Sequence, residues 1–431
     1  MQEIQNLKSN IQNHYDFIIV GAGIVGLATA YKLQLKFPKK TIAVLEKENA
    51  IGKHQTGRNS GVLHSGIYYT PNSYKAKNCK NGRDQIVKFA KENNIKIDIC
   101  GKVIVATTKE ELPLLEIIYQ KGLENKTEGI CYLNNKETKE KEPFIEAIKS
   151  IWVPTAGIID YVAVAKKFAE LITKINPKSK VILSCKVNKI TNDSDTSKTI
   201  ITNKGTFTTE KLIFCTGLHS DRNAKKNKVK IDMQIVGFRG DYYKLTKEAA
   251  HKIKSLVYPV PDPNFPFLGV HFTKMIIGGI ECGPNAVFSF KREGYTTTSF
   301  SLKDTFEALT YKGTWKLFAK HWRKGMEEYK RAFSKKLFLK ALQKMMPTLT
   351  INDIEVARSG VRAQAVDHSG GMVDDFLIEE SNGTIHVLNA PSPAATSCMA
   401  IADEIVAKAL SFKTNADTKV QHDECCYFKE D

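Results

Sequence analysis

Near its start, the chain passes from an apolar run through three glycines into a helical repeat. The segment "DFIIVGAGIVGLATAYKL" at residues 16–33 predicts a buried strand, a tight turn and then a helix. A second apolar run, "TIAVLEKE" at residues 41–48, predicts a second strand. A strand, a helix and a second strand in this order indicate the start of a parallel α/β sheet.

Further strand and helix patterns follow along the chain. Residues 157–175 predict an amphipathic helix with Asp160 at its N-cap, and a basic helical stretch is predicted at 303–345. Residues 383–406 predict a strand, a turn and a helix that begins with small residues. Alternating patterns predict three strands that return to the first sheet, at 180–190, 199–209 and 211–217.

The three glycines of the first turn have separate expected roles. Gly21 forms the tight turn, Gly23 lets the backbone approach a pyrophosphate, and Gly26 lets the helix pack on the strand. Glu46 follows twenty residues after Gly26, at the end of the second strand, where its carboxylate can accept hydrogen bonds from ribose hydroxyls. This spacing predicts a dinucleotide site at the N-terminus of the first helix.

The segment after the second strand favours FAD over NAD. An NAD dehydrogenase would continue with further strand and helix repeats, whereas residues 52–79, "GKHQTGRNSGVLHSGIYYTPNSYKAKNC", are rich in Gly, Ser and Asn. Such a segment is suited to lie against a flat ring system, so we expect FAD as the cofactor. Beyond the first turn, the expected cofactor contacts are Asn59, Ser60, Gly61, Val187, Gly217 and Pro393.

The predicted fold class is α/β and α+β, with a Rossmann-like FAD-binding domain and an inserted mixed-sheet substrate domain. The length of 431 residues fits two domains better than one core. The FAD-binding domain is predicted to be discontinuous, at 14–79, 151–236 and 346–411. The substrate domain is predicted at 80–150 and 237–345, and residues 412–431 are expected to form a mobile tail.

The charge of the chain does not indicate a nucleic-acid partner. The formal net charge is +18, but only nine of the 64 basic residues are arginine and the lysines are spread along the whole length. A dedicated phosphate-binding face would show clustered arginines with interleaved aromatic residues. We expect neither nucleic acid nor metal as a ligand, whereas peripheral contact with an anionic membrane is consistent with the charge.

The cysteines and the apolar runs favour a cytoplasmic location. Nine cysteines without a CxxC pair indicate reduced thiols. The longest apolar run, residues 17–30, is too short to span a bilayer, and the first residues contain no signal-like segment. We therefore expect any membrane contact to be peripheral, on the inner face of the membrane.

Several segments resemble one superfamily of flavoproteins. The glycine turn, the loop "NSGVLHSGIYY" at 59–69 and the Gly-x-Arg in "RSGVRAQAVD" at 358–367 are similar to those of the D-amino-acid oxidase superfamily, which includes glycine oxidase and glycerol-3-phosphate dehydrogenase. Within it, "GFRGDYYKL" at 237–245 and "LNAPSPAATS" at 388–397 resemble the L-2-hydroxyglutarate dehydrogenases and oxidases more closely. The resemblance covers nearly all of the chain between residues 16 and 410.

This resemblance implies FAD-dependent oxidation of L-2-hydroxyglutarate to 2-oxoglutarate, with electrons passed to a quinone or to oxygen. One alternative is another FAD oxidoreductase of the superfamily, acting on glycerol 3-phosphate, glycine or sarcosine. A further alternative is a non-catalytic protein that binds flavin or anionic lipid, and the absence of turnover would distinguish it.

Oxidation of a hydroxy acid requires a base for the hydroxyl proton. His64, in the loop that the resemblance places against the flavin, and His271, in "FLGVHFT", are the two candidates because histidine takes up a proton near neutral pH. The alternative for each ring is a neutral histidine that is hydrogen-bonded to the backbone.

The reaction also requires a cation that binds the substrate carboxylate. Arg362 lies where the Gly-x-Arg of the superfamily binds a carboxylate or phosphate, and a planar guanidinium fits a carboxylate better than an ammonium group does. Arg239 and Tyr243 are candidates for the second carboxylate of a diacid, and Arg358 is a further candidate for substrate binding. Surface ion pairs are the alternative role for Arg358 and Arg362.

Overall fold

The computed structural model describes residues 11–194, 197–263, 265, 267–381 and 383–411, and the predicted tail at 412–431 lies outside these ranges. The helices of the described chain are α1 (Ile24–Lys36), α2 (Tyr74–Glu92), α3 (Leu112–Glu124), α4 (Asn135–Lys141), α5 (Tyr161–Ile175), α6 (Ser220–Lys226), α7 (Leu302–Thr310), α8 (Lys312–Ala332), α9 (Lys335–Leu342) and α10 (Cys398–Ser411). The strands are β1 (Ile11–Val20), β2 (Ile42–Leu45), β3 (Val62–Leu63), β4 (Ile97–Asp98), β5 (Lys102–Ala106), β6 (Cys131–Asn134), β7 (Lys149–Val153), β8 (Gly157–Ile159), β9 (Lys180–Ile182), β10 (Val187–Ser194), β11 (Ser197–Thr202), β12 (Gly205–Phe214), β13 (Met233–Leu245), β14 (Leu256–Pro259), β15 (His271–Lys274), β16 (Ile280–Gly283), β17 (Val287–Phe288), β18 (Ile354–Asp367), β19 (Leu377–Ser381) and β20 (Thr384–Asn389).

The first sheet has the parallel core of a Rossmann-like fold, which confirms the predicted class. Its strands follow the order β10–β11–β12–β1–β2–β9, with β20 parallel to β12 and β19 antiparallel to β20. Alternate residues of β1 point to opposite faces. Phe17 and Ile19 pack with side chains of α1, α2, α5 and α10 on one face. Ile18 packs with side chains from β10 and β11 on the other face. Burial on both faces explains why the strand reads as a continuous apolar run.

The second sheet is mixed, as predicted for the inserted domain. Its strands follow the order β17–β13–β16–β15–β14–β5–β7–β6, and β18 also pairs with β13. β13 and β18 run antiparallel from Met233 opposite Asp367 to Leu245 opposite Ile354. Side chains of α9 pack in one apolar cluster of this sheet, and side chains of α7 and α8 pack in another. A third, small sheet has the order β3–β8–β4.

The sheets divide the chain at different points from the predicted domains. Residues 346–411 are predicted to belong to the FAD-binding domain, but β18 pairs with β13 in the second sheet. Residues 80–150 are predicted to belong to the substrate domain, but Ile86 and Phe89 of α2 pack in the core beside the first sheet. Both differences arise from contacts between distant segments, which a local pattern does not contain. The assignment of two domains stays a prediction.

The predicted helices are present where their patterns indicate them. α5 begins after Asp160, whose carboxylate accepts hydrogen bonds from the N–H groups of Val162 and Ala163, at 2.9 Å each. The basic stretch at 303–345 forms α7, α8 and α9. Among the helices described, none is long and apolar enough to cross a membrane.

A glycine in α2 sets the distance between α2 and the segment before α10. A Cβ atom at Gly82 would lie 2.5 Å from the Cα atom of Ser397 and 2.9 Å from its carbonyl carbon. We expect Gly82→Ala to lower the free energy of unfolding by about 1–3 kcal/mol, because the two backbones must separate. Chemical denaturation followed by circular dichroism measures the change.

Gly325→Ala in α8 is the matched control for this helix substitution. A Cβ atom at Gly325 would meet nothing within 4 Å. The higher helix propensity of alanine should then raise the free energy of unfolding by up to about 1 kcal/mol. Equal effects of the two substitutions would contradict the close contact at Gly82.

Candidate active site

The turn between β1 and α1 leaves open space at one of its three glycines. Gly21 has φ +110°, and a Cβ atom there would collide with the carbonyl oxygen of Cys215. A Cβ atom at Gly26 would collide with the carbonyl oxygen of Gly21. At Gly23, the nearest atom would be the hydroxyl of Thr56 at 3.5 Å, which is an ordinary contact. The protein itself therefore requires the first and third glycines, and Gly23 leaves the turn accessible from outside.

Glu46 lies beside this turn. Its carboxylate accepts hydrogen bonds from the N–H groups of Ala22 (2.8 Å) and Glu48 (2.9 Å). At the start of α1, the N–H group of Ile24 donates to the hydroxyl of Thr56 at 3.0 Å. The predicted acid and the predicted turn are thus in direct contact.

Asn59 holds the shape of the loop that follows. Its amide group donates to the carbonyl oxygens of Gln55 (2.9 Å) and Thr56 (2.8 Å), and its carbonyl oxygen accepts from the N–H group of Gly61 (2.8 Å). Gly61 has φ +68°, a conformation that favours glycine. Ser60 lies between these two residues and is partly buried.

The loop carries His64 on a backbone that is fixed from the C-terminal part of the chain. The N–H group of His64 donates to the hydroxyl of Thr396 at 3.2 Å, and this hydroxyl lies 2.7 Å from that of Tyr161. The thiol of Cys79 donates to the carbonyl oxygen of His64 at 3.6 Å. Within the described ranges, the imidazole ring itself makes no hydrogen bond.

His271, the first residue of β15, is buried and its ring is oriented. Nδ1 lies 2.8 Å from the carbonyl oxygen of Gly269, and because a carbonyl oxygen only accepts, Nδ1 carries the proton. The ring lies against that of Tyr258, with centroids 4.0 Å apart. In the neutral ring, Nε2 is therefore left as the proton acceptor.

Sequence reasoning missed Lys102, at the start of β5. The side chain is almost completely buried, and its ammonium group lies 4.1 Å from the ring centroid of Tyr258 and 5.4 Å from that of Tyr68. No carboxylate pairs with it among the residues that the structure describes. Burial lowers the pKa of Lys102 from 10.5 to about 8. The signal in the sequence is a single charge at the head of the otherwise apolar strand "KVIVA".

Both histidines are held neutral at physiological pH. Burial lowers the pKa of His64 to about 3, with further depression by the charge of Lys102 and by His271. Burial likewise lowers the pKa of His271 to about 3, and Lys102 and Arg362 add to this effect although the Gly269 carbonyl opposes it. Lys102 therefore acts electrostatically on both histidines, and Arg362 acts on His271.

Arg362 is the second cation of this group. In β18 it lies opposite Phe238 of β13, and its guanidinium lies 5.3 Å from the ring centroid of Phe267. Burial raises the pKa of Tyr242 to about 12 against the opposing charge of Arg362. Like Lys102, Arg362 makes no direct ion pair in the described parts of the chain. Burial raises the pKa of the Glu328 carboxyl, and the charge of Arg362 opposes this effect. Two residues earlier, Gly360 lets the carbonyl group of Arg58, just before the histidine loop, approach this strand.

The other predicted arginines are occupied by partners of their own. The guanidinium of Arg239 donates to both carboxylate oxygens of Asp241, at 2.8 and 3.1 Å, and to the carbonyl oxygen of Thr296 at 2.7 Å. Arg358 donates to Glu281 at 2.7 Å and to the carbonyl oxygen of Asn59 at 2.7 Å. Arg358 therefore ties the second sheet to the histidine loop. These contacts do not favour a direct substrate role for either arginine, and that role stays a prediction.

Tyr243 lies on the opposite face of β13 from Arg362. Its ring packs on that of Phe338, with centroids 4.5 Å apart, in the apolar cluster beneath α9. The preceding residue, Tyr242, is the tyrosine whose pKa responds to the charge of Arg362. Neighbouring residues in a strand point to opposite faces, so a choice between two adjacent tyrosines depends on the strand's orientation.

The remaining predicted cofactor residues lie in or near strands of the first sheet. Gly217 has φ +49° and lies three residues after the end of β12. Pro393 is buried, and its carbonyl oxygen accepts from the N–H group of Ser397 at 3.0 Å. Val187 begins β10 opposite Thr202 of β11. Their contact with a cofactor stays a prediction.

A network of ion pairs involves the residues that directly follow Glu46. The ammonium of Lys47 lies 2.6 Å from the carboxylate of Glu48 and 2.8 Å from that of Glu293. Nε2 of His54 lies 3.1 Å from both carboxylates, and His219 contacts Glu293 at 3.0 Å. Burial opposes the ionisation of Glu293, but hydrogen bonds from His219 and Lys47 lower its pKa to about 2. The network joins the first sheet to the loop after β17.

Comparisons with known proteins show the family of the chain. A family described as FAD dependent oxidoreductase (DAO) matches residues 16–408. The chain is 48% identical over 397 residues to the L-2-hydroxyglutarate dehydrogenase of Indibacter alkaliphilus, which covers 92% of this chain and 99% of that protein. The chain belongs to the L-2-hydroxyglutarate dehydrogenase family. Human mitochondrial L-2-hydroxyglutarate dehydrogenase is 41% identical over 416 residues, covering 92% of this chain and 90% of that protein.

Solved structures of other FAD dependent oxidoreductases have the same fold. The chain matches the L-alpha-glycerophosphate oxidase of Mycoplasma pneumoniae with FAD bound, with a TM-score of 0.75 at 24% identity over 93% of this chain and 96% of that chain. Glycine oxidase from Geobacillus kaustophilus gives a TM-score of 0.70 at 16% identity, over 94% of this chain and 96% of that chain. The predicted family, fold class, enzyme class and FAD cofactor are confirmed.

The residues of this chain fit FAD. Gly23 leaves the turn open at the start of α1, where N–H groups and the positive helix end favour phosphate. Three buried hydroxyls in the surrounding segments, Ser65, Tyr68 and Thr216, have no hydrogen-bond partner within the described protein. Buried polar atoms are rarely left unpaired in a complete site, so these hydroxyls indicate a bound ligand.

Lys102→Met should raise the free energy of unfolding near neutral pH, by about 1–3 kcal/mol, because the charge is buried without an anion. The pKa of Lys102 is lowered from 10.5 to about 8, so the folded protein carries this cost fully below pH 8. The gain should shrink as the pH rises from 8 to 10.5, where the lysine becomes neutral in both states. Urea unfolding at pH 7 and at pH 10 measures both effects.

Lys316→Met is the control, since Lys316 is exposed on α8. This substitution should leave the free energy of unfolding within about 0.5 kcal/mol of the original. A loss of stability in Lys102→Met at pH 7 would contradict the buried, unpaired charge.

Proposed function

We propose that this protein oxidises L-2-hydroxyglutarate to 2-oxoglutarate. The observation that carries the proposal is the presence of two buried or partly buried cations, Lys102 and Arg362, beside two neutral histidines. A five-carbon hydroxy diacid supplies two carboxylates and a hydroxyl, which are the groups that this arrangement lacks. The 48% identity to the Indibacter alkaliphilus L-2-hydroxyglutarate dehydrogenase supports the same substrate.

The two cations have different geometries for binding carboxylate. The guanidinium of Arg362 can donate two parallel hydrogen bonds to one carboxylate and so fix its plane. The ammonium group of Lys102 is a compact charge, and we assign to it the second carboxylate. Binding of the dianion neutralises both side chains and offsets the cost of burying them.

A histidine takes the hydroxyl proton. When bound, FAD supplies the acceptor for the hydride that leaves the substrate carbon. Lys102 depresses the pKa of both histidines, and Arg362 depresses that of His271, so a bound dianion must raise these pKa values again. The site therefore gains a stronger base when the correct substrate binds. Both His64 and His271 remain candidates for this role.

The electron acceptor and the surroundings of the protein complete the proposal. Electrons pass to a quinone or to oxygen, and the protein is cytoplasmic with peripheral contact at the inner face of the membrane. The net charge of +18 supports attraction to an anionic surface.

The test of the substrate is anaerobic bleaching of the flavin. We expect L-2-hydroxyglutarate to bleach the flavin absorbance of the purified protein. With both carboxylates bound, only one enantiomer directs the hydrogen of its hydroxyl-bearing carbon towards the flavin. D-2-Hydroxyglutarate, glycerol 3-phosphate, glycine and sarcosine should leave the absorbance unchanged on the same timescale. Faster bleaching by any of these four compounds would replace the proposed substrate.

Arg362→Lys should lower kcat/KM for L-2-hydroxyglutarate by about 100-fold, because a lysine cannot make the paired hydrogen bonds of a guanidinium. Arg323→Lys, on the exposed surface of α8, is the matched control and should remain within about twofold. Steady-state rates with a soluble dye as electron acceptor give both values. Equal activity of the two variants would remove Arg362 from the site.

A further inference from the structure

Large apolar side chains are exposed together on one helical surface. Seven residues between 300 and 333 have between 53% and 76% of their surface exposed: Phe300, Leu302, Phe306, Trp315, Trp322, Met326 and Phe333. Every aromatic side chain of the described chain that is more than half exposed belongs to this group. We call these residues and the basic residues between them the aromatic–basic face. Such concentration of exposed apolar surface indicates a binding site.

Ring contacts connect two parts of this face. Phe300 contacts Phe290, with centroids 6.3 Å apart, and Phe290 contacts Phe288 at 5.0 Å. Phe288 contacts Phe318 at 5.4 Å, and Phe318 contacts Trp315 at 6.2 Å. The exposed rings on the loop before α7 and on α8 are therefore connected through the buried ring of Phe288.

The charge of the same segment is strongly positive. Residues 301–344 contain twelve lysines and arginines and four acids, which gives a net charge of +8 out of the +18 of the whole chain. The lysines at 303, 312, 316, 320 and 336 are exposed. The segment thus combines exposed aromatic rings with a high density of ammonium groups.

Three of the four acids point towards the protein. Asp304 and Glu307 both pair with Arg222, at 2.5 and 2.6 Å. Glu328 is buried and accepts a hydrogen bond from the N–H group of Ala286 at 2.9 Å. These contacts balance the charges of the three acids within the protein. The electrostatic potential at the exposed surface of the face is therefore more positive than the composition suggests.

We propose that the aromatic–basic face binds the surface of an anionic phospholipid bilayer. Exposed Trp, Phe, Leu and Met side chains insert at the boundary between headgroups and acyl chains, and lysines beside them reach the lipid phosphates. Protein interfaces are depleted in lysine, and nucleic-acid faces favour arginine, of which this segment has only two. A bilayer matches both the apolar and the cationic parts of the face.

A series of ring contacts connects α8 with the candidate active site. The guanidinium of Arg362 lies over Phe267, Phe267 contacts Phe265 at 5.6 Å, and Phe265 contacts His321 of α8 at 6.5 Å. If the proposed oxidation is correct, this position brings the site close to acceptors dissolved in the bilayer. Lipid binding by this face deepens the peripheral membrane contact of the proposed function, and it does not depend on the proposed oxidation.

The first test is flotation with two kinds of vesicle, one of phosphatidylcholine alone and one that also contains about 30% phosphatidylglycerol. This anionic content is enough to attract polybasic surfaces. We expect at least tenfold tighter binding of the full-length holoenzyme to the anionic vesicles. Trp315→Ser combined with Trp322→Ser, and separately Lys316→Glu combined with Lys320→Glu, should each weaken this binding at least tenfold.

Matched controls use exposed residues elsewhere. Ile277→Ser removes an apolar side chain that is 80% exposed, and Lys36→Glu combined with Lys39→Glu reverses two exposed charges near the end of α1. These variants should bind anionic vesicles as the original protein does. All variants should retain flavin absorbance and turnover with a soluble dye, which separates lipid binding from the proposed oxidation.

The second test uses the intrinsic fluorescence of the chain, which contains only three tryptophans, at 152, 315 and 322. Brominated anionic lipid should quench Trp315 and Trp322, whereas Trp152 packs within the second sheet beside Gly101 and should not respond. The double tryptophan variant should therefore lose the quenching.

Three results would overturn the proposal. The first is equal binding of the protein to both kinds of vesicle, and the second is undiminished vesicle binding by the variants of the face. The third is self-association of the protein that lipid does not change and that these variants lose. The last result, measured by analytical ultracentrifugation, would assign the face to a second copy of the chain. Tighter binding to RNA than to vesicles in the same salt would likewise assign it to another partner.

Discussion

Positive charge that is buried without a protein anion is the constraint on which the site depends. Lys102 is almost completely buried and Arg362 is partly buried, and neither makes a direct ion pair within the described ranges. A lone buried charge costs free energy, which aromatic rings such as that of Tyr258 offset only in part. The protein tolerates this cost because the rest of the fold holds both side chains in place. The same cost makes a dianion the favoured ligand.

The supporting contacts come from segments that are far apart in the chain. β5 provides Lys102, β15 provides His271 and β18 provides Arg362, all within the second sheet, whereas His64 directly follows β3 of the small third sheet. Arg358 joins these two parts by donating to Glu281 and to the loop carbonyl of Asn59. These contacts give Arg358 a joining role, and its predicted part in substrate binding stays a prediction.

Local sequence patterns predicted the parts of the fold that local interactions determine. The glycine turn, Glu46 and the Asp160 cap depend on residues close together in the chain, and all are present. The pairing of β18 with β13 joins segments more than a hundred residues apart, so no local pattern places it. The occupancy of Arg239 could have been predicted, because Asp241 lies two residues later on the same face of the strand.

Lys102 was the main omission at the site. Its sequence context is a lysine before four apolar residues, and such a residue is more often the exposed end of a strand. Burial of its side chain results from the pairing of β5 with β14 and β7, which brings the ring of Tyr258 beside it. The burial of this charge thus depends on tertiary pairing, whereas the glycine motif can be recognised from its spacing in the sequence.

The hydrogen bond from His64 to Thr396 also has a consequence for biosynthesis. β1, α1 and the histidine loop are synthesised early. The hydroxyl of Thr396, which fixes the loop backbone, lies just before α10 in the chain. The nascent protein can form its first strands and still lack an ordered histidine loop. The order of the histidine loop therefore depends on a residue that is synthesised 332 positions after His64.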